Sequence, residues 1–198
     1  MKYQIPYIVK IASVEDYKFS EAIVKSINES AQKRGVDVPQ RSASYINEKM
    51  RNGLAVIAVT PEHNDWLGFS YIEVWEHRQY VANSGLIVKE EFRGVGISKD
   101  IKLKIFNLSQ EKFPFATLFS LSSNSTVIRA NFELGFRIVS FEDMLCDERF
   151  LTGFNCLVDY IGMMKNGMGT SHHVAMVYKP LSLAGEAELI HSYSGHAI

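Results

Sequence analysis

Ser84-Gly-Leu-Ile-Val-Lys-Glu-Glu-Phe-Arg-Gly-Val-Gly-Ile-Ser98, continued by Lys99-Asp-Ile-Lys-Leu-Lys-Ile-Phe-Asn-Leu-Ser109, decides the reading of this chain. Leu86, Ile87 and Val88 are an apolar run of strand length, and Ile97, Ile101, Leu103, Ile105 and Leu108 then recur near helical spacing. Between strand and helix lies a turn with Gly94 and Gly96, residues that accept backbone conformations others resist and let a ligand come close. A helix starting near Gly96 points its first unpaired N–H groups and the positive end of its dipole into that turn. Such a turn is an anion site, most naturally one for a pyrophosphate. Two better-known phosphate loops are excluded by spacing. The Lys-Ser/Thr pair of a P-loop is missing, and the third glycine of the dinucleotide fingerprint is replaced by Lys99.

Working outward, Tyr7 to Ile11 reads as a strand, and Val14 to Lys33 as an amphipathic helix burying Tyr17, Ala22, Ile23, Ile27 and Ala31. Arg34-Gly35 closes it, and Ser42 is the expected N-cap of a short helix ending near Asn52-Gly53. Leu54 to Val59 is apolar throughout, as a central strand should be. After a turn at Pro61 to Asp65, Leu67 to Trp75 and Tyr80 to Val88 form two strands joined by Glu76 to Gln79. The long helix runs to about Lys112, Phe115 to Leu121 is a strand, and Asn124 to Leu134 a helix stopped by Gly135. A short helix over Phe141 to Phe150 and a closing strand over His173 to Tyr178 complete the order. This succession predicts an α/β (α+β) fold around a central mixed, mostly antiparallel sheet flanked by helices. One domain over 1–180 and a C-terminal tail over 181–198 are expected.

Arg93-Gly-Val-Gly96-Ile-Ser98, preceded by a strand, resembles the acyl-CoA signature of the GNAT superfamily of N-acyltransferases, Arg/Gln-x-x-Gly-x-Gly/Ala. Arg93 and Gly96 match, and Ser98 stands where glycine or alanine is usual. Asn124-Ser-Thr-Val-Ile-Arg-Ala-Asn131-Phe-Glu-Leu-Gly-Phe136 resembles the later helix of the same superfamily. Arg41-Ser-x-x-Tyr45-Ile, Trp75-Glu and Tyr80 to Val88 are also similar to a bacterial GNAT group associated with arginine biosynthesis and described as N-acetylglutamate synthase-like.

The resemblance implies acetyl-CoA, or another acyl-CoA, as cosubstrate. Main-chain N–H groups of Gly94, Val95, Gly96, Ile97 and Ser98 would hold the pyrophosphate, with Arg93 beside them. Leu86, Ile87 and Val88 would pair with the pantetheine amide, and Asn124 would approach the CoA arm. The implied activity is transfer of an acetyl group to the primary amine of a small molecule, with an amino acid such as glutamate as acceptor. The alternatives are a catalytically weak acyl-CoA-binding regulatory module and a protein N-acetyltransferase. Glu73 shares a strand face with Tyr71 and Trp75, so it is the candidate general base, with Glu76 and His77 behind it. Many superfamily members place a tyrosine where this chain has Asn131, which can hydrogen-bond a thiolate but cannot protonate it. Ser84, Tyr80, Tyr160 or water would replace that acid. Arg34 and Arg41 flank the helix-to-helix linker as candidate clamps for a substrate carboxylate, and Trp75 is a further substrate-binding candidate.

Composition bounds the rest. Lys and Arg number 21 against 22 Asp and Glu, so no polybasic field points to nucleic acid or a membrane surface. No stretch reaches membrane-spanning length and Met1 to Pro6 has no signal-peptide core, so a cytoplasmic protein is expected. Cys146 and Cys156, expected as reduced thiols, form no defensible zinc pattern with Asp147, His172 and His173, so no metal is expected. A homodimer is left open as the assembly.

Overall fold

The computed structural model describes residues 5–33, 35, 40–62, 64–75, 77–140, 148–151 and 174–180. In chain order the elements are β1 (Ile8–Ile11), a 3-10 helix (Val14–Phe19), α1 (Ser20–Lys33), α2 (Ala43–Arg51), β2 (Ala55–Val59), β3 (Trp66–Trp75) and β4 (Tyr80–Val88). A short 3-10 turn (Glu90–Phe92), α3 (Ile97–Lys112), β5 (Thr117–Ser122), α4 (Ser125–Glu133), β6 (Arg137–Ile138) and β7 (Val174–Tyr178) follow. Local chemistry accounts for several boundaries. The Ser42 hydroxyl accepts the Tyr45 N–H at 3.2 Å and so caps α2 as expected. The helix expected over Val14 to Lys33 is instead a 3-10 segment followed by α1. Asp16 is the reason: its fully buried carboxylate closes a capping box on Ser13 and pairs with Lys10 at 3.0 Å, which draws that turn inward. Ala22, expected on the buried face of α1, is exposed, while Ile23 and Ala31 are buried.

The strands form one sheet in the order β1-β2-β3-β4-β5-β7-β6, antiparallel everywhere except between β4 and β5. This is the mixed, mostly antiparallel sheet that the sequence predicts. On one face α3 and α4 cover a core of Leu67, Ile72, Val81, Ile97, Ile101, Ile105 and Phe136. On the other, α1 and α2 cover Ile23, Ile46, Met50, Ile57, Phe69 and Ile87. Each such side chain, fully buried, contributes roughly 1.5–3 kcal/mol, so together they fix both layers against the sheet. Close approach matters most at Gly68, where an added Cβ would lie 2.7 Å from Ile101 Cδ1 and 2.9 Å from the Ile87 carbonyl oxygen. One charge sits inside the α3 layer: Lys102 is 4% exposed, its ammonium 5.4 Å from the Phe136 ring centroid, and burial lowers its pKa to about 8.

β4 and β5 part company along the sheet. β4 pairs with β5 only from Tyr80–Ala82 to Thr117–Phe119, and beyond that β4 runs on to Val88 and β5 to Ser122 with no pairing between them. Between Phe69/Ile87 and Tyr71/Ser84 the β3–β4 register shifts by one extra residue on β4. Gly85 occupies this bulge with φ +63°, and a Cβ there would lie 2.3 Å from Tyr71 Cε1, so only glycine fits. Bulge and fork together open β4 along its outer edge.

Candidate active site

α3 begins at Gly96, whose φ of +101° and ψ of −15° are left-handed and whose missing side chain offers the helix no cap. Gly94, with φ +82°, turns the chain into that geometry. Lys99 and Asp100 donate to the Gly96 carbonyl. Among the described residues no hydrogen bond is made by the N–H groups of Gly94, Val95, Gly96, Ile97 or Ser98. Five adjacent main-chain donors thus stand at the positive end of a sixteen-residue helix, an environment that favours negative charge. Beside them, Arg93 donates from Nε to the Val88 carbonyl at 3.1 Å, which ties its side chain to the end of β4. Tyr7 stands on the other flank: its hydroxyl donates to Asp100 at 2.5 Å and lies 3.7 Å from where a Gly96 Cβ would be. The Asp100 hydrogen bond pushes the Tyr7 phenol up to about 12. A cleft of about 300 Å³ adjoins the turn between α1 and the end of β4, lined by Lys33, Val88, Lys89, Glu90 and Arg93.

Ile87 and Val88 bury their side chains on opposite faces of the sheet and Leu86 packs partly into the α3 layer, so these residues can offer a ligand only main chain. Ser84 lies directly across from Tyr71 in the register, next to the bulge, and its carbonyl accepts the Ser70 hydroxyl at 3.0 Å. By strand alternation its side chain shares the face of Tyr71 and Glu73.

Glu73 is the hub of that face. Its Oε1 accepts Arg41 Nη2 at 3.2 Å and the Tyr45 hydroxyl at 2.5 Å; its Oε2 accepts Tyr45 again at 2.6 Å and Lys49 Nζ at 2.6 Å. Lys49 donates also to the Ile72 carbonyl at 2.9 Å. Arg41 stacks over Tyr45 at 4.7 Å and hydrogen-bonds Tyr71. Burial, then the Glu73 carboxylate, pushes the phenols of Tyr45 and Tyr71 upward, so both stay neutral at physiological pH. Glu73, expected as general base, is held at the centre of an ion-pair cluster: three side chains donate to the two oxygens of a carboxylate only 10% exposed. Lys49 was not singled out from the sequence, and Tyr45 and Tyr71 were named there only as part of the Arg41-Ser-x-x-Tyr45-Ile resemblance and as a neighbour of Glu73 on its strand face. Part of the signal was there, since Tyr45 and Lys49 lie one turn apart on α2, with Arg41 just before its Ser42 cap.

Asn131 also departs from expectation. It is 0% exposed, its amide donates to the Ser120 hydroxyl at 2.8 Å, and its carbonyl accepts the N–H groups of Leu134 and Phe136. It is a fully buried residue that ends α4, its main-chain carbonyl accepting both of those N–H groups past the helix end. Across the fork the Asn83 amide likewise donates to Ser109 at 2.8 Å, and in both residues the carboxamide oxygen is buried without a partner among the described residues. Asn124 is the α4 N-cap, its oxygen accepting Thr126 and Val127 N–H at 2.9 and 3.4 Å. Trp75 stacks on Tyr80 at 5.7 Å and donates its indole N–H to the Phe150 carbonyl, so its ring is engaged in an aromatic cluster with Phe119. His77 lies in the β3–β4 turn with φ +50°. Arg34, Glu76, Tyr160, Cys146, Cys156, Asp147, His172, His173 and the 181–198 tail lie outside the described residues. Among those described, no three metal-ligating side chains gather, and no helix is long and apolar enough to cross a membrane.

No family model matches the sequence, and no curated relative does. Solved structures do match. A Mycobacterium tuberculosis protein in complex with CoA superposes with a TM-score of 0.61 at 15% identity, covering 87% of this chain and 98% of that one. N-acetylglutamate synthase from Neisseria gonorrhoeae, complexed with coenzyme A and N-acetyl-glutamate, gives 0.59 at 18% identity over 89% of this chain, which spans 36% of the synthase. A GNAT family acetyltransferase from Listeria monocytogenes gives 0.53 at 16% identity, covering 71% of this chain and 91% of that one. At such identities the likeness is one of architecture, and the architecture, with its forked β4/β5 pair and glycine turn, is the GNAT acetyltransferase fold.

Proposed function

We propose that this chain is an acyl-CoA-dependent N-acetyltransferase that moves an acetyl group from acetyl-CoA to the primary amine of a small molecule. The observation that carries this reading is the run of five adjacent main-chain N–H groups, Gly94 to Ser98, left without partners among the described residues at the start of α3. Those groups would hold the diphosphate of CoA, whose negative charge the helix dipole favours. The unpaired edge of β4 past Ala82 would receive the pantetheine arm through main chain at Leu86 to Val88. Asn124 keeps its cap, so any contact it makes to CoA uses its amide nitrogen. CoA-bound neighbours of the same fold support the assignment.

The bound thioester supplies an activated acyl carbon, and the protein supplies position. Holding an amine against it is worth effective molarities of about 10⁵–10⁸ M in favourable cases. Glu73 is engaged, so the amine would lose its proton to water. Ser84, on the open stretch of β4, would hydrogen-bond the leaving sulfur in place of the missing tyrosine. Arg41 would face the carboxylate of an amino-acid acceptor, for which glutamate is the first to test, given the Neisseria neighbour. Thiol release from acetyl-CoA over a panel of amines tests this: turnover with a small amine is expected, and no turnover despite CoA binding would reject it. That second outcome is the alternative reading, a CoA-binding regulatory module, which the engagement of Glu73 and the burial of Asn131 favour.

A further inference from the structure

Where β4 and β5 part, the sheet carries a polar patch inside an apolar layer. Asn83 and Ser120 are the first rung of that register beyond its last pair, Ala82 and Phe119. Their antiparallel partners, Ile72 and Met176, both belong to the core under α3, which puts Asn83 and Ser120 on that same face. Ser109 of α3 and Asn131 of α4 close over them. The Asn83 amide donates to the Ser109 hydroxyl and the Asn131 amide to the Ser120 hydroxyl, each at 2.8 Å. Two further contacts fix which way the carboxamides point. Ser109 donates its own proton to the Ile105 carbonyl at 2.8 Å, so from Asn83 it can only accept. The Asn131 amide nitrogen also faces Met176 Sδ, 3.7 Å away. Both carboxamide oxygens are therefore turned away from these partners and buried, with no donor among the described residues. Native interiors rarely leave such acceptors orphaned, and two of them at one rung call for a donor from outside the chain.

The acyl-CoA reading says what arrives there. From Ile97, at the glycine turn, to Ser109, α3 rises about 18 Å. Along β4, Val88 back to Asn83 spans roughly 16 Å. A pantetheine arm has about thirteen bonds from phosphorus to sulfur, roughly 15 Å at extended-chain dimensions, so its sulfur stops just short of this rung and the acyl group lies at it. We propose that the Asn83–Asn131 rung selects the acyl group, and that the group it takes is a short acyl chain carrying a hydroxyl. The hydroxyl donates to one of the two orphaned oxygens, which a plain alkyl chain leaves unsatisfied. Both oxygens are closed to solvent, so admitting the hydroxyl requires β4 and β5 to separate, and no pairing past Ala82 and Phe119 resists that. The proposal rests on the acyl-CoA reading, since only a CoA seated at the glycine turn carries an acyl group this far.

The test is calorimetric binding to the full chain of glycolyl-CoA against propionyl-CoA and of 3-hydroxypropionyl-CoA against butyryl-CoA, pairs that differ only in hydroxyl for methyl. In at least one pair the hydroxyl member should bind about fivefold tighter or more, the effect of one neutral hydrogen bond to a buried acceptor. Asn83→Leu and Asn131→Leu keep the shape and remove the oxygen, and at least one of them should erase that preference. The preference is a ratio taken within each variant, so a general loss of affinity does not imitate it. Equal binding within both pairs in wild type overturns the proposal and leaves CoA binding at the glycine turn standing. A preference that survives in both folded variants overturns it as well. Failure of CoA itself to bind removes the acyl-CoA reading and this proposal together, so the two failures are distinguishable.

Discussion

Replacing Lys102 by methionine should stabilise this protein, and the size of the gain follows from burial. The ammonium is 4% exposed, and burial lowers its pKa from 10.5 to about 8. A folded-state pKa below the unfolded one means that the unfolded chain binds the proton more tightly, so folding is penalised wherever Lys102 is charged. Over the whole interval that penalty is roughly 3 kcal/mol, at about 1.4 kcal/mol per pH unit. It is fully present below pH 8 and fades as pH rises toward 10.5, so wild-type stability should increase with pH across this window. The contact with the Phe136 ring returns about 1 kcal/mol, which methionine also partly recovers through its own sulfur–ring contact. Lys102→Met should therefore gain about 2–3 kcal/mol at pH 7, or about 5–10 °C in Tm for a chain of this size. At pH 10 the gain should fall to about 1 kcal/mol or less. Urea unfolding of both proteins at pH 7, 9 and 10 measures the difference directly. A variant no more stable than wild type at pH 7, or a gain independent of pH, would refute the desolvation argument.

Four further outcomes follow from the geometry. Gly85→Ala forces a Cβ to 2.3 Å from the Tyr71 ring at φ +63°, and should cost roughly 3 kcal/mol by thermal unfolding, combining left-handed strain with overpacking. Glu73→Gln leaves Arg41 and Lys49 facing a neutral amide, and should cost roughly 2–4 kcal/mol in denaturant titrations; a smaller effect would mean the cluster is solvated. Asp100→Asn removes a negative charge from the first turn of α3, and should tighten CoA binding by about two- to fivefold in calorimetry. Asn131→Ala should lower stability by roughly 1–3 kcal/mol through loss of its bond to Ser120, yet leave the pH–rate profile unmoved.

Local signals made much of the fold readable from the sequence. The bounds of β4 were legible because Tyr80 to Val88 lies between a polar turn and a glycine turn, and α2 was legible from its Ser42 cap. The glycine turn before α3 was legible for a similar reason: glycine spacing is a local property, and Gly94 and Gly96 both adopt the positive φ that their identity invites. What sequence could not deliver was pairing over distance. Glu73 looks like a cleft carboxylate when read along β3, and only the packing of α2 thirty residues upstream shows it held by Arg41, Tyr45 and Lys49. Asn131 fails in the same way, since its position in α4 says nothing of the Ser120 hydroxyl beneath it. Trp75 reads as a ligand-facing ring on strand alternation, yet Tyr80 and Phe150 cover it.

The most direct test is amide-resolved NMR of the isotope-labelled full chain titrated with CoA, in wild type and in Gly96→Glu. Shifts concentrated on the N–H groups of Gly94 to Ser98 are expected in wild type. They should be lost in the variant, whose added charge opposes the diphosphate by about 3 kcal/mol at 5 Å in a medium of intermediate dielectric. Saturable CoA binding that leaves those five amides unmoved, or that Gly96→Glu does not weaken, would contradict the assignment of the turn and with it the enzyme reading.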